Sequence, residues 1–150
     1  MHPTSVHIEE WHSGYPRWTE VSTLIEQLGQ THWVDFNAVW HVSTHLLVAA
    51  TPSHVVGFLR YVIQNIGVEE DRAPVTRKDI TLLEAKVIAV GVTPNRQRQG
   101  IGRALQEHLI QACRTQHCFQ IRSYSYTANI ANWQLKLSLG FTIHPLIPAP

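Results

Sequence analysis

The spacing of apolar residues along this chain changes from helical to strand-like and back several times. Four apolar residues near the start share the i, i+3, i+4, i+7 spacing of an amphipathic helix, namely Val21, Leu24, Ile25 and Leu28. Thr19 is the expected cap of this helix and Gly29 its expected end. Apolar runs of strand length follow at 45–50, 55–66 and 80–92, and turn residues between the first two predict a hairpin.

The second half of the chain predicts strands that alternate with helices. A helix is expected over 100–116, with one apolar face made of Ile101, Leu105, Leu109 and Ala112. A strand over 119–126 precedes a helix from Asn129 to Leu139, and a short strand follows at 141–144. With a weak strand at 6–9, a short helix and loop within 33–45, and a polar loop at 67–79, the order is β-α-α-β-β-β-α-β-α-β. This order predicts an α/β (mixed α+β sheet) fold in a single domain over residues 1–150.

Composition narrows the class of protein without identifying it. Hydrophobic residues make up 44% and charged residues 15%, as in ordinary globular proteins, and the net charge is +1. A net charge this small gives no reason to expect nucleic acid or a membrane as a partner. The apolar runs are too short to span a bilayer, two cysteines make no disulfide framework, and the first residues do not resemble a targeting segment. We therefore expect a cytoplasmic location.

The sequence VTPNRQRQGIGRAL (92–105) places glycines and arginines where a strand gives way to a helix. The first turn of a helix offers free N–H groups and a partial positive charge, and both favour an anion. Glycines at 100 and 102 would let a phosphate reach that backbone. A Walker loop is excluded because Arg103 follows Gly102, and a dinucleotide fingerprint is excluded because Leu105 occupies the place of its third glycine.

Two segments carry a resemblance to a known family. The run EAKVIAVGVTPNRQRQGIGRALQEHLI (84–110) resembles the acetyl-CoA motif of the GCN5-related N-acetyltransferase (GNAT) superfamily, with Gln97, Gly100 and Gly102 at its Gln/Arg-x-x-Gly-x-Gly/Ala positions. The run NIANWQLKLSLGF (129–141) is similar to a second segment of the family, and the closest local likeness is to ribosomal-protein alanine N-acetyltransferases. The resemblance is strong from 82 to 141 and weak before. The alternative interpretation is an ordinary glycine-rich strand-to-helix turn.

The resemblance implies acetyl-CoA as the acetyl donor. Its pyrophosphate is expected on the N–H groups from Arg98 to Arg103, and its pantetheine arm along Val90 to Val92, where two strands splay apart. A glycine within a strand, here Gly91, marks a bulge or a close backbone approach. The residues expected to contact the cofactor are Val90, Gly91, Val92, Gln97, Arg98, Gln99, Gly100, Ile101, Gly102, Arg103, Asn129, Asn132 and Lys136.

The resemblance also suggests catalytic residues. Glu84 matches the catalytic glutamate of the ribosomal-protein enzymes and is the candidate base. An unbroken strand would place it on one face with Lys86, Ile88 and Val90. The alternative is a glutamate that is solvated or paired with Lys86. The usual tyrosines of the family are replaced by Arg96 and Lys136. Tyr126, or Tyr124 on the same predicted strand, is the candidate acid. The alternatives are that Lys136 holds the thiolate or contacts coenzyme A, or that the thiolate leaves without a dedicated acid.

The segment HWVDFNAVWHVSTH (32–45) has two interpretations. Trp33, Phe36 and Trp40, with His41 and Asp35, would form a cage for a cationic amine. Alternatively, the i, i+3, i+7 spacing of the three large aromatic residues is that of a helix packed on the core, which is the commoner case.

No metal site is predicted. His41 and His45 have metal-ligand spacing on a helix but lack an obvious third ligand, and a helix cannot bring together the cluster made of His108, Cys113, His117 and Cys118. We interpret these as surface histidines and free cysteines.

The function predicted from the sequence is acetyl transfer from acetyl-CoA to a primary amine of a small molecule, peptide or protein, by direct attack on the thioester. The alternative is a non-catalytic acyl-CoA-binding or regulatory domain that keeps the fold. The resemblance leaves a homodimer open, because dimers are common in the family.

Overall fold

The computed structural model describes residues 5–123 and 130–142, with side chains for all of these except 130–133. The strands in this part of the chain are β1 (His7–Glu10), β2 (Ser43–Ala50), β3 (Val55–Asn65), β4 (Thr76–Arg77), β5 (Ile80–Thr81), β6 (Leu83–Val92) and β7 (Gln120–Arg122). The helices are α1 (Trp18–Gln27), α2 (Thr31–Asp35), α3 (Ile101–Thr115) and α4 (Ile130–Ser138). Single 3₁₀ turns lie at Val68–Glu70 and Pro94–Arg96.

Five strands form one mixed sheet in the order β1-β2-β3-β6-β7. Neighbours pair antiparallel except β6 and β7, which are parallel. The crossover between these two strands is α3, which confirms the predicted β-α-β unit and the mixed sheet. The 67–79 segment, predicted to be a loop, contributes strand β4, which pairs with β5 in a separate two-stranded hairpin.

The sheet carries a helix layer on each face, which we call the α1 face and the α3 face. Val48 and Phe58 lie in the core cluster of the α1 face, together with the buried residues of α1. Leu47 and Leu59, their neighbours in sequence, lie in the cluster of the α3 face with Leu105. Strands buried on both sides explain why β2 and β3 appear in the sequence as nearly continuous apolar runs rather than alternating ones.

Strand β6 contains a β-bulge. Arg60 of β3 pairs with Ala89 and the next residue, Tyr61, pairs with Val87, so the residue between them, Ile88, has no partner on β3. An inserted residue of this kind reverses the direction of every side chain beyond it relative to an unbroken strand.

The bulge corrects the predicted faces of β6. Val87 lies in the core of the α3 face, and Val90 packs against the same cluster three residues later, whereas Ala89 lies in the α1-face cluster. Glu84, three residues before Val87, lies on the α1 face. The prediction that Glu84 and Val90 share a face is wrong, because it assumed an unbroken period of two.

Helix ends match the sequence signals in part. Helix α1 begins at Trp18, so Thr19 lies inside it and is not the cap, while Gly29 follows its end with the positive φ of +69° that only glycine adopts freely. Helix α2 is a single turn, shorter than the helix that the aromatic spacing would give. The predicted last strand is not present at 141–142, and its remainder lies outside the described residues, as do the whole of Tyr126 and Asn129.

The helices that the structure describes include none with the length and apolar composition needed to cross a bilayer.

Candidate active site

The loop between β6 and α3 forms a backbone concavity that suits an anion. Arg98 and Gly100 adopt positive φ values of 64° and 82°, and this turns the chain sharply into the helix. The first backbone bond at the helix start runs from Ala104 N–H to the Gly100 carbonyl at 2.9 Å. No backbone carbonyl of the described residues accepts a bond from the N–H groups of 98–103, so these donors are available to a ligand.

Gly102 provides a test of whether a phosphate group fits here. Among the described residues, a Cβ atom added at Gly102 would meet Leu135 Cδ2 alone, at 3.9 Å, and the φ of Gly102 is not positive. The described residues therefore require glycine at this position neither for packing nor for backbone conformation. The glycine leaves space beside the first turn of α3, which is space that a phosphate bound to these N–H groups would need.

Two side chains of this loop make contacts within the protein. Gln97 Nε2 donates to the Val92 carbonyl at 3.3 Å and ties the loop to the end of β6. Arg103 points away, because its guanidinium pairs with Glu107 at 3.0 Å and donates to Ser138 Oγ of α4, also at 3.0 Å. Arg103 therefore offers a ligand its backbone N–H, and its side chain fastens α4 to α3.

The second part of the site is the edge of β6 that faces β7. Pairing of the two strands runs from Glu84 with Gln120 to Lys86 with Arg122. From Val87 to Val92, none of the described residues pairs with this edge. The cofactor contacts predicted for residues 90–92 lie on this stretch.

Gly91 is needed for packing on the α1 face. A Cβ added to Gly91 would lie 2.7 Å from Leu28 Cδ1 and 2.8 Å from Phe58 Cε1. Of the two expectations for this glycine, close approach is therefore the one that the structure shows, and the bulge is at Ile88.

Glu84 is buried, with 1% of its surface exposed, and both of its oxygens are engaged. Oε1 accepts from Gln120 Nε2 at 2.8 Å and Arg122 Nε at 2.9 Å. Oε2 accepts from Gln64 Nε2 at 2.8 Å and Arg122 Nη2 at 2.7 Å. Four donors fill the approximately four lone-pair positions of a carboxylate, and the arginine contact is bidentate. Glu84 thus joins β3, β6 and β7 where β7 pairs with β6.

Glu69 extends this network toward solvent. Its carboxylate accepts from Lys86 Nζ at 2.6 Å, Gln64 Nε2 at 2.6 Å and Arg122 Nη2 at 2.8 Å. Burial raises the pKa of Glu69, but the hydrogen bonds from Lys86 and Gln64 outweigh it and leave that pKa below its ordinary value. Glu69 belongs to an acidic run with Glu70 and Asp71, whose composition is that of a solvated loop near the site. Glu69 differs from that expectation, because its carboxylate is hydrogen-bonded to three side chains.

The geometry of Glu84 favours a positioning role over proton transfer. A carboxylate that accepts a proton needs a free lone pair, and here a donor must first leave. The role of Glu84 as a base stays a prediction, and so does that of Tyr126, which lies outside the described residues.

Lys136 stands on α4 at the position where the family usually has a tyrosine. It is 6% exposed, and burial lowers its pKa to about 8. A lysine with this pKa changes charge near neutral pH, a property that functional lysines share. The side chain of Asn132, the other predicted contact on α4, lies outside the described residues.

The aromatic segment before β2 is exposed. Trp33 is 52%, Phe36 41% and Trp40 44% exposed, so the interpretation as a core-packed helix is wrong. His41 follows in the same loop, with its ring edge-on to Phe36 and Trp40 at centroid distances of 5.9 and 6.2 Å. His45 lies on β2, so the two histidines do not share a helix face.

The aromatic segment is fixed to the sheet by Arg60, a buried residue of β3. One guanidinium nitrogen donates to the carbonyls of Trp33 at 2.9 Å, Phe36 at 2.6 Å and Val34, and the other donates to Asn37 Oδ1 at 3.0 Å. Burial lowers the pKa of Arg60, and its charge meets the negative end of α2 rather than a carboxylate of the described residues.

The described residues hold no group of three or more His, Cys, Asp or Glu side chains that could bind a metal. Burial raises the pKa of the Cys113 thiol to about 12, so this cysteine is an inert core residue.

Sequence reasoning missed the partners of Glu84. Gln64, Gln120 and Arg122 come from segments far apart along the chain. The antiparallel pairing of β3 with β6 brings Gln64 to Glu84, and the parallel pairing of β7 with β6 brings Gln120 and Arg122 there. The sequence carried one signal for two of these partners. Gln120 and Arg122 flank an apolar residue on the predicted strand, and this alternation places both polar side chains on one face. The contacts of Arg60 had no such signal.

Comparisons with known proteins agree with this architecture. The profile of the acetyltransferase (GNAT) family matches residues 6–141. Similar structures include a ribosomal-protein-alanine N-acetyltransferase from Brucella melitensis biovar Abortus 2308, with 14% identity over 97% of this chain and 98% of that one, and a TM-score of 0.68. An aminoglycoside N-acetyltransferase, AAC(6')-Iy, in complex with CoA shares 14% identity over 96% and 98% of the two chains, with a TM-score of 0.67.

An aminoglycoside acetyltransferase from an uncultured soil metagenomic sample, in complex with sisomicin, shares 16% identity over 96% of this chain and 93% of that one, with a TM-score of 0.68. At these identities the likeness shows the fold alone. No match was found among curated proteins.

Proposed function

We propose that this chain, which belongs to the acetyltransferase (GNAT) family, is an enzyme that transfers an acetyl group from acetyl-CoA to a primary amine. Acetyl-CoA supplies the acetyl group as a reactive thioester. The observation that carries the proposal is the start of α3, directly after β6. There the N–H groups of 98–103 have no backbone acceptor among the described residues, and Gly102 meets no packing requirement from them.

In this proposal each part of the loop has one task. The N–H groups of 98–103 bind the pyrophosphate, and the helix dipole adds to their attraction for negative charge. The free edge of β6 at Val90–Val92 pairs with the extended pantetheine arm as a further strand would. An N–H near Val90 polarises the thioester carbonyl, a contribution of the oxyanion-hole type.

The reaction forms a C–N bond and breaks the C–S bond, so the amine must lose a proton and the departing sulfur must be stabilised. Lys136 suits the second task, because its ammonium form predominates below pH 8 and its lowered pKa eases proton donation. Glu84 holds β7 in place beside β6 and so keeps the position from which the cleft opens.

The competing candidate is a non-catalytic acyl-CoA-binding or regulatory domain. The observation in its favour is that both oxygens of Glu84 are fully engaged, so no free carboxylate base is seen at this position.

One assay separates the two functions. Protein, acetyl-CoA, a panel of amines and peptides, and a thiol reagent are mixed, and the release of free CoA is followed. An enzyme releases CoA above background in an amine-dependent manner. Tight CoA binding without release would support the non-catalytic domain instead. A Glu84→Gln variant that keeps the wild-type dependence of rate on pH would remove Glu84 as the base.

A further inference from the structure

We propose that the acceptor is an amine with a single positive charge on an apolar or aromatic body, which stacks on an aromatic platform made of Trp33, Phe36 and Trp40. The proposal rests on the function proposed above and adds the chemical class of the acceptor.

The platform is the main exposed apolar surface of the described residues. Of the nine large hydrophobic residues that are exposed there, five lie within residues 33–42, and Val39 is fully exposed. Isolated exposed apolar residues are ordinary, but a contiguous group, especially an aromatic one, marks a place where a ligand binds.

Arg60 keeps the platform rigid. It is 4% exposed, and its four hydrogen bonds fix the backbone of Trp33 and Phe36 together with Asn37. A buried guanidinium without a carboxylate partner is costly for a fold. This cost of burying the Arg60 guanidinium is explained if the aromatic segment must present its rings to a ligand in one fixed arrangement.

The platform borders the part of β6 where transfer is proposed to occur. Helix α2, which carries Trp33, lies against β6. His41 contacts the rings of Phe36 and Trp40, and it lies close enough to Glu69 and Lys86 for their charges to influence its pKa. An amine that reaches the β6 edge from this side therefore passes over the platform.

Charge balance decides between acceptor classes. The charges that act on His41 or on Arg60 are two cations, Arg60 and Lys86, and two carboxylates, Glu69 and Asp35. Burial, reinforced by the charge of Arg60, lowers the pKa of His41, so that residue is neutral at pH 7. A polycation such as an aminoglycoside needs a surplus of negative charge, which this surface does not supply, whereas one ammonium group on an apolar body needs none.

The test compares three acceptors by CoA release: 2-phenylethylamine, ethanolamine and sisomicin. The first has one charge and an aromatic body, the second one charge and a small polar body, and the third several charges. We expect kcat/KM for 2-phenylethylamine to exceed the other two by about tenfold or more, because only it can stack on the platform. A preference for sisomicin or for ethanolamine would overturn the proposal.

Two variants locate the effect. Trp40→Ala is expected to raise the KM for 2-phenylethylamine by about tenfold while CoA affinity stays unchanged. Phe119→Ala is the matched control, because Phe119 is 57% exposed and lies in the groove with Ile110 and Cys113 on the α3 side. Equal KM values in the two variants would overturn the proposal. Failure of all three amines, while another amine or peptide of the panel is acetylated, would overturn the acceptor class alone. Failure of the whole panel, with CoA still bound, would overturn the proposed function as well.

Discussion

Replacement of Glu84 by glutamine tests the network that holds β7 beside β6. The substitution keeps the size of the side chain but removes its charge, and it places an amide NH₂ among donors from Gln64, Gln120 and Arg122. One partner of a buried ion pair is thereby lost, which costs about 3–5 kcal/mol in other proteins. Arg122 retains Glu69 as a partner, so we expect the lower end, about 3 kcal/mol.

Glu107→Gln is the matched control. Glu107 also pairs with an arginine, Arg103, at 3.0 Å, but its side chain is 54% exposed. An exposed i, i+4 pair contributes about 0.3–0.5 kcal/mol, so this variant should unfold almost as the wild type does.

Urea unfolding followed by circular dichroism measures both variants. With a slope of about 1–3 kcal/mol per molar urea, Glu84→Gln should lower the midpoint by about 1–3 M and Glu107→Gln by about 0.1–0.5 M. If the two variants unfold within about 0.5 kcal/mol of each other, Glu84 does not hold the strands together, and the argument from its four donors is refuted.

Single residues carry three further predictions. If Lys136 stabilises the departing sulfur, kcat should fall as the pH rises through about 8, and Lys136→Met should abolish this fall. The pKa of Glu69 lies below its ordinary value of 4.5. Its ion pairs therefore stabilise the fold fully above pH 4.5, and this stabilisation is lost as the pH falls through the lowered pKa of the folded protein. Glu69→Gln should remove this part of the acid dependence of the unfolding free energy. Gly91→Ala should lower the unfolding free energy by about 1–3 kcal/mol, because the added Cβ would overlap Leu28 and Phe58. Denaturant unfolding measures this loss, and an unchanged unfolding free energy would show that the overlap relaxes freely.

The sequence predicted the elements whose patterns are local. Apolar periodicity indicated α1, α3 and the long strands, and the glycines at 100 and 102 marked the loop at the start of α3. These predictions depend on residues near one another in the chain, so tertiary contacts had little power to change them.

The features that were missed depend on contacts between distant segments. The bulge at Ile88 has no signature in the strand itself, and it moved Val90 to the other face from Glu84. The aromatic spacing of Trp33 and Trp40 predicted core packing, but Arg60, from a strand further along the chain, holds that segment at the surface.

The most direct test of the account is the affinity for CoA of variants at Gly102, measured by isothermal titration calorimetry. Alanine fits the protein there and favours the helix by up to about 1 kcal/mol, and glutamate near a helix start is also tolerated, so neither variant should unfold more readily than the wild type. If the pyrophosphate lies on the first turn of α3, Gly102→Glu should abolish CoA binding, whereas Gly102→Ala, which the family pattern admits, should retain it. Wild-type affinity in the folded Gly102→Glu variant would contradict the placement of the cofactor, and with it the function proposed for this chain.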